Sequence, residues 1–271
     1  MSSPVVEPDA RRFELTSESD ELEEWNREIW KSLRLRQGSN ALFFPAPNAL
    51  APLSFARFMN RRKVTFVDMS EISVSTLIKL SAQMRLTNVT VKLASTNGKI
   101  PVADSSFDVA YSDWGLSYFA SVTGKASDAE TITKELVRVL KSGGTIGAIE
   151  ENGAPVMFPC PPDIQLIRTK VDSPRADKMI MGRRLFSLFS GAGVKKISLK
   201  GYSSFLTGQE DQRMGEELSR RIASLETLRN GSNSSGITPQ DIEKYRSWLK
   251  SQMGNKTFLM QFNSILALGE K

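Results

Sequence analysis

Residues 39–69, SNALFFPAPNALAPLSFARFMNRRKVTFVDM, decide the fold. A Gly-Ser-Asn turn leads into NALFF, a short apolar run bounded by turn residues, as a buried strand requires. ALAPLSFARFMN then reads as a helix, with Pro52 tolerable only in its first turn. The basic NRRKV patch sits where a helix end favours cations. KVTFVDM is a second strand that ends on Asp68. Strand, helix and strand at this spacing form a parallel crossover unit.

The pattern continues on the C-terminal side. Ser70 caps a helix through EISVSTLIKLSAQMRL, with Ile72, Leu77, Leu80 and Met84 on one face. NVTVKLAS and SFDVAYSD read as strands three and four. DAETITKELVRVL is a helix closed by KSGG, and TIGAIEE is strand five. KMIMGRRLFSLFSGAG is a helix with a glycine stop, followed by the strand VKKISLKGYS. The order predicts an α/β fold: a doubly wound, mostly parallel, seven-stranded sheet with helical cap insertions.

Residues 1–16 read as a flexible arm, and 17–271 as one domain with cap elements at about 152–180 and 208–255. Helical spacing of Leu22, Trp25, Ile29 and Leu33 marks a first helix, stopped by Gly38. NGAPVMFPCPPD, with four prolines, reads as a long loop without regular structure. NGSNSSG is a connector, and Thr238 with Pro239 opens a helix through ITPQDIEKYRSWLKSQM. TFLMQFNSILALGEK is the last strand region.

Composition removes several kinds of chemistry. The chain has no histidine and one cysteine, Cys160. Histidine-based metal sites, cysteine zinc clusters and His-activated nucleophiles are therefore excluded, and no metal is expected. Acid–base work falls to Asp, Glu, Lys or Tyr. No apolar run approaches the roughly 20 residues of a membrane span, and the polar N-terminus has no signal-peptide core, so the expected location is cytoplasmic. The net charge is +6, but residues 1–30 are acidic and the remainder is correspondingly basic. Scattered solubilising charge accounts for this better than nucleic acid does, because no long basic run or stacking-aromatic motif occurs.

In a doubly wound sheet, ligands bind beyond the carboxyl ends of the strands. The candidates are the Pro45, Ala46, Pro47 loop, Asp68, the Ser95–Asn97 turn, and Ser112, Asp113 and Trp114. Asp68 either accepts the hydroxyl protons of a ribose or caps the turn that follows it. Met69 either faces an adenine or packs in the core. Asp113 is the candidate general base, since partial burial raises a carboxyl pKa. Trp114 and Tyr118 read more readily as core than as acceptor contacts, and Glu150 and Glu151 are either the next acidic candidates or solvated strand-end charges.

IPVADSSFDVAYSDWGLSYF (100–119) followed by ITKELVRVLKSGGTIGAIEE (132–151) resembles the central half of class I S-adenosylmethionine-dependent methyltransferases, most closely the ubiquinone/menaquinone-biosynthesis type. The resemblance covers about residues 25–271 and implies the Rossmann-like methyltransferase fold. It implies S-adenosylmethionine as cofactor and a small-molecule or lipid-like acceptor. It places the cofactor along Pro45, Ala46 and Pro47, on Asp68 and Met69, near Thr96 and Asn97 in place of the adenine-contacting Asp, and beside Ser112. Departures lie in the first loop, where Phe43 replaces the family's acid and Pro45, Pro47 and Ala49 replace its glycines. Proline fixes φ and removes an N–H where glycine would allow close backbone approach. The alternative is therefore a methyltransferase-fold protein without transfer activity that serves a protein partner.

Overall fold

The computed structural model describes residues 27–33, 35, 38–46, 50–60, 62–95, 97–125, 127–172, 180–209, 211–230 and 236–271. The expected arm, Leu22, Trp25, Pro47, Thr96 and most of the NGSNSSG connector lie outside them. The chain divides into two compact units. One comprises residues 1–150, 181–200 and 265–271, and the other 151–180 and 201–264.

The first unit alternates strand and helix. Its elements are β1 (Ala41–Phe43), α1 (Leu50–Met59), β2 (Val64–Asp68), α2 (Glu71–Gln83), β3 (Val89–Leu93), β4 (Phe107–Asp113), α3 (Gly115–Thr123), α4 (Asp128–Val139) and β5 (Leu140–Glu151). The chain continues through β6 (Val156–Phe158), α5 (Pro162–Asp172), α6 (Met181–Gly191), β7 (Lys195–Thr207), α7 (Asp211–Asn230), α8 (Pro239–Gln252) and β8 (Leu259–Glu270). The sheet order is β3-β2-β1-β4-β5-β8-β6, with β7 also paired to β8. Strands β1 to β5 pair in parallel, as the crossover helices require.

Both faces of this sheet are covered, so β1 is apolar without a break. Leu42 and Phe44 join a core with Val67, Ala110, Phe119, Leu136, Leu185 and Phe189. Phe43 points the other way, as strand alternation demands. Its ring lies 5.3 Å from Tyr111, 5.8 Å from Phe55 and 6.1 Å from Phe66, centroid to centroid.

The residues that carry the family resemblance hold the sheet together. Arg138 donates to Glu135 at 2.7 Å, to the carbonyls of Ile100 (2.9 Å) and Val102 (3.1 Å), and to Asp104. Glu135 in turn accepts the Ile100 N–H at 2.9 Å. The motif thus pins the segment that feeds β4. Asp108 accepts the Asn40 N–H at 2.9 Å and pairs with Lys141 at 2.9 Å, which fixes the start of β1.

Four expectations need correction. Among the described residues the sheet has eight strands, not seven. The extra one is β6, inside the proline-rich stretch read as irregular; it pairs antiparallel with β8 from Val156↔Gln261 to Phe158↔Leu259, between the prolines. KSGG does not separate helix from strand. β5 starts at Leu140 and runs through it, with the register shifting against β4 and Gly143 at φ 72°. The buried face of α2 is Ser73, Leu77 and Ser81, while Ile72 and Met84 are exposed. β3 ends the sheet path, so α2 has less apolar surface to cover there.

The second unit packs Met157, Ile164, Met214, Leu218, Tyr245, Leu249 and Phe258 into its own core. Thr238 and Asp241 form a reciprocal capping box with Pro239 at the start of α8, as the sequence predicts.

Candidate functional site

Matched parallel registers bring the carboxyl ends of β1, β2 and β4 together: Phe43 lies opposite both Phe66 and Tyr111. Asp68 follows on β2, and Ser112 and Asp113 on β4. Trp114, by its N–H to the carbonyl of Ile149 at 2.9 Å, ties β4 to the end of β5.

Asp68 is fully buried. One carboxylate oxygen accepts the Ala46 N–H at 3.0 Å and the other the Ser70 N–H at 2.8 Å. Burial pushes this carboxyl up to about 6, while the N–H groups of Ser70, Ala46 and Met69 pull it down. Asp68 therefore ties the first loop to the start of α2, where Ser70 accepts the Ser73 N–H at 3.3 Å. Met69 is half-buried against the main core.

The first loop lies directly on this site. Phe44, Pro45 and Ala46 are all buried. A Cβ placed on Gly115 would come closer than 3 Å to both Pro45 Cδ and Ser112 Oγ, so the proline ring is seated over the β4–α3 turn. The Ser112 hydroxyl is buried and has no hydrogen-bond partner among the described residues. Asn97 is exposed, and its side-chain oxygen is taken up within its own turn by the Lys99 N–H (3.0 Å) and the Ser95 hydroxyl. Asp113 is half-buried and close enough to Glu150 to act on it as a like charge.

Trp114 is not core: it is 45% exposed and left-handed at φ 48°, a conformation that non-glycine residues seldom adopt. Glu150 is not solvated either. It is 0% exposed, and Oε1 accepts the Leu116 N–H at 2.7 Å, with both oxygens 3.4 Å from the Ser117 nitrogen. Burial above all, with Asp113 adding a like charge, pushes its carboxyl up to about 8. The signal for this was an acid directly after the apolar TIGAI run of a strand covered on both faces.

Each carboxylate oxygen of Asp68 already accepts one backbone N–H and keeps a lone pair for a further donor. Phe43, at the end of β1, stands among the rings of Phe55, Phe66 and Tyr111. Among the described residues there is no group of His, Cys, Asp and Glu arranged to hold a metal ion. None of the described helices is long and apolar enough to cross a membrane.

Residues 48–148 match the methyltransferase domain family. Three solved structures have similar folds. A methyltransferase-type protein from Bacillus halodurans is 14% identical over 91% of this chain and 98% of its own, with a TM-score of 0.59. The YcgJ protein from Bacillus subtilis is 16% identical over 92% and 98%, also at 0.59. A Haemonchus contortus phosphoethanolamine N-methyltransferase, solved with phosphomonomethylethanolamine and S-adenosylhomocysteine, is 15% identical over 92% of this chain and 52% of its own, at 0.55. No curated protein sequence matches the chain. The chain thus shares the Rossmann-like fold of these solved structures and matches the methyltransferase domain family over residues 48–148.

Proposed function

We propose that the chain is a divergent S-adenosylmethionine-dependent methyltransferase of the cytoplasm, acting on a small-molecule or lipid-like acceptor. The observation that carries this reading is Asp68, a carboxylate at the end of β2 within the matched methyltransferase domain. When bound, the cofactor supplies an electrophilic methyl group. Asp68 would accept the ribose hydroxyls, and Met69, Thr96 and Asn97 would border the adenine. Pro45, Ala46, Pro47 and Ser112 would line the remainder. Asp113 takes a proton from the acceptor. Positioning and exclusion of water supply most of the rate, so neither histidine nor metal is needed.

Calorimetric titration with S-adenosylmethionine and S-adenosylhomocysteine tests this. Micromolar binding, on the order of −8 kcal/mol, supports it. No heat and no thermal shift at millimolar ligand overturns it. That result would select the second reading, a binding protein built on the fold.

A further inference from the structure

Helix α3 begins without a cap of its own. Its N-cap residue is Trp114, whose side chain accepts no backbone N–H. The four N–H groups of a first helical turn need acceptors, and one buried without a partner is costly. Glu150 reaches across from β5 and accepts those of Leu116 and Ser117. The residue before it, Ile149, accepts the Trp114 N–H at 2.9 Å. Two consecutive residues of β5 therefore fix the whole turn from Asp113 to Ser117. Trp114 is left-handed within that turn, a shape that persists only where neighbours enforce it.

We propose that Glu150 is a positioning residue: its carboxyl substitutes for the missing α3 cap and sets the conformation of the Asp113–Trp114 wall that meets the acceptor. The role of that wall rests on the methyltransferase reading above. Glu150 touches no reacting atom in this scheme; it acts through Leu116, Ser117 and Trp114. The charged group that faces it is Asp113 of β4. Once ionised, Glu150 accepts more strongly, so the turn tightens as the carboxyl loses its proton.

Tryptophan emission of the full chain, titrated from about pH 6 to about pH 10, tests the proposal. The wild type should show a transition centred near pH 8. The transition should be lost in Trp114→Phe, which assigns it to the wall, and lost in Glu150→Gln, which keeps the shape but cannot ionise. A wild type without a transition, or a transition that survives in either variant, overturns the proposal. The wild type and Trp114→Phe, in which Glu150 is intact, still decide if Glu150→Gln does not fold. The measurement needs no cofactor, so it answers even for a chain that binds none. Where turnover is measurable, Glu150→Gln should match the wild-type kcat at about pH 6–7, where the carboxyl keeps its proton, and fall below it at about pH 9–10, while S-adenosylhomocysteine affinity stays unchanged.

Discussion

The carboxylate of Asp68 and the backbone N–H of Ala46 are hydrogen-bonded at 3.0 Å across 22 residues of sequence. This bond joins the end of β2 to the loop after β1, and it uses an acceptor that a ribose would need. Asp68→Ala should therefore act on two quantities. It should weaken S-adenosylhomocysteine binding by at least about tenfold, roughly 1.4 kcal/mol. It should also lower stability by about 1–3 kcal/mol by orphaning the buried Ala46 N–H. Calorimetry and chemical denaturation read the two separately. An unchanged affinity would remove Asp68 from the site.

Stability should fall as pH rises through neutrality. Asp68 is raised from 3.8 to about 6 and Glu150 from 4.5 to about 8. Between those limits the folded chain keeps protons that the unfolded chain has released, so their contribution is full at low pH and is lost as pH rises. Glu135, Asp163 and Asp241 are lowered, so what they contribute is lost only as pH falls below their ordinary range. No histidine titrates in between. Thermal melts should show maximal stability near about pH 5. Glu150→Gln should flatten the decline toward pH 8, and an unchanged decline would contradict the burial of that carboxyl.

An acid at position 43 should destabilise the chain. In Phe43→Glu a charge would enter a cluster of Phe55, Phe66 and Tyr111. Loss of ring packing and burial of an unpaired charge should together cost more than about 4 kcal/mol. Urea denaturation measures this, and a variant of near wild-type stability would show that the cluster yields easily.

The contact between Pro45 and the β4–α3 turn can be tested in the same way. Gly115→Ala would drive a methyl group into Pro45 and Ser112, with an expected cost of about 1–3 kcal/mol. Ser112→Ala removes a buried hydroxyl that lacks a partner and should be close to neutral. The double variant should recover part of the Gly115→Ala loss. Strict additivity in a double-mutant cycle would show that the two sites do not touch.

The succession of strands and helices along the chain was legible from sequence alone. Apolar runs, glycine stops and caps such as Ser70 and Thr238 are local signals, and the structure places elements on them. The position of Asp68 at a strand end was also legible, because strand length and order are local. The eighth strand was not, since β6 is three residues long and exists only through its pairing with β8. Nor could the sequence say which of Asp68's two roles this conformation uses, or that Glu150 turns inward. Both depend on N–H groups supplied by residues 22 and 34 positions away. Sequence by itself determined which segments become strands and helices and which side chains stand at their ends. The tertiary structure alone decided what those side chains face, because a buried carboxylate takes its role from the donors that the fold brings to it.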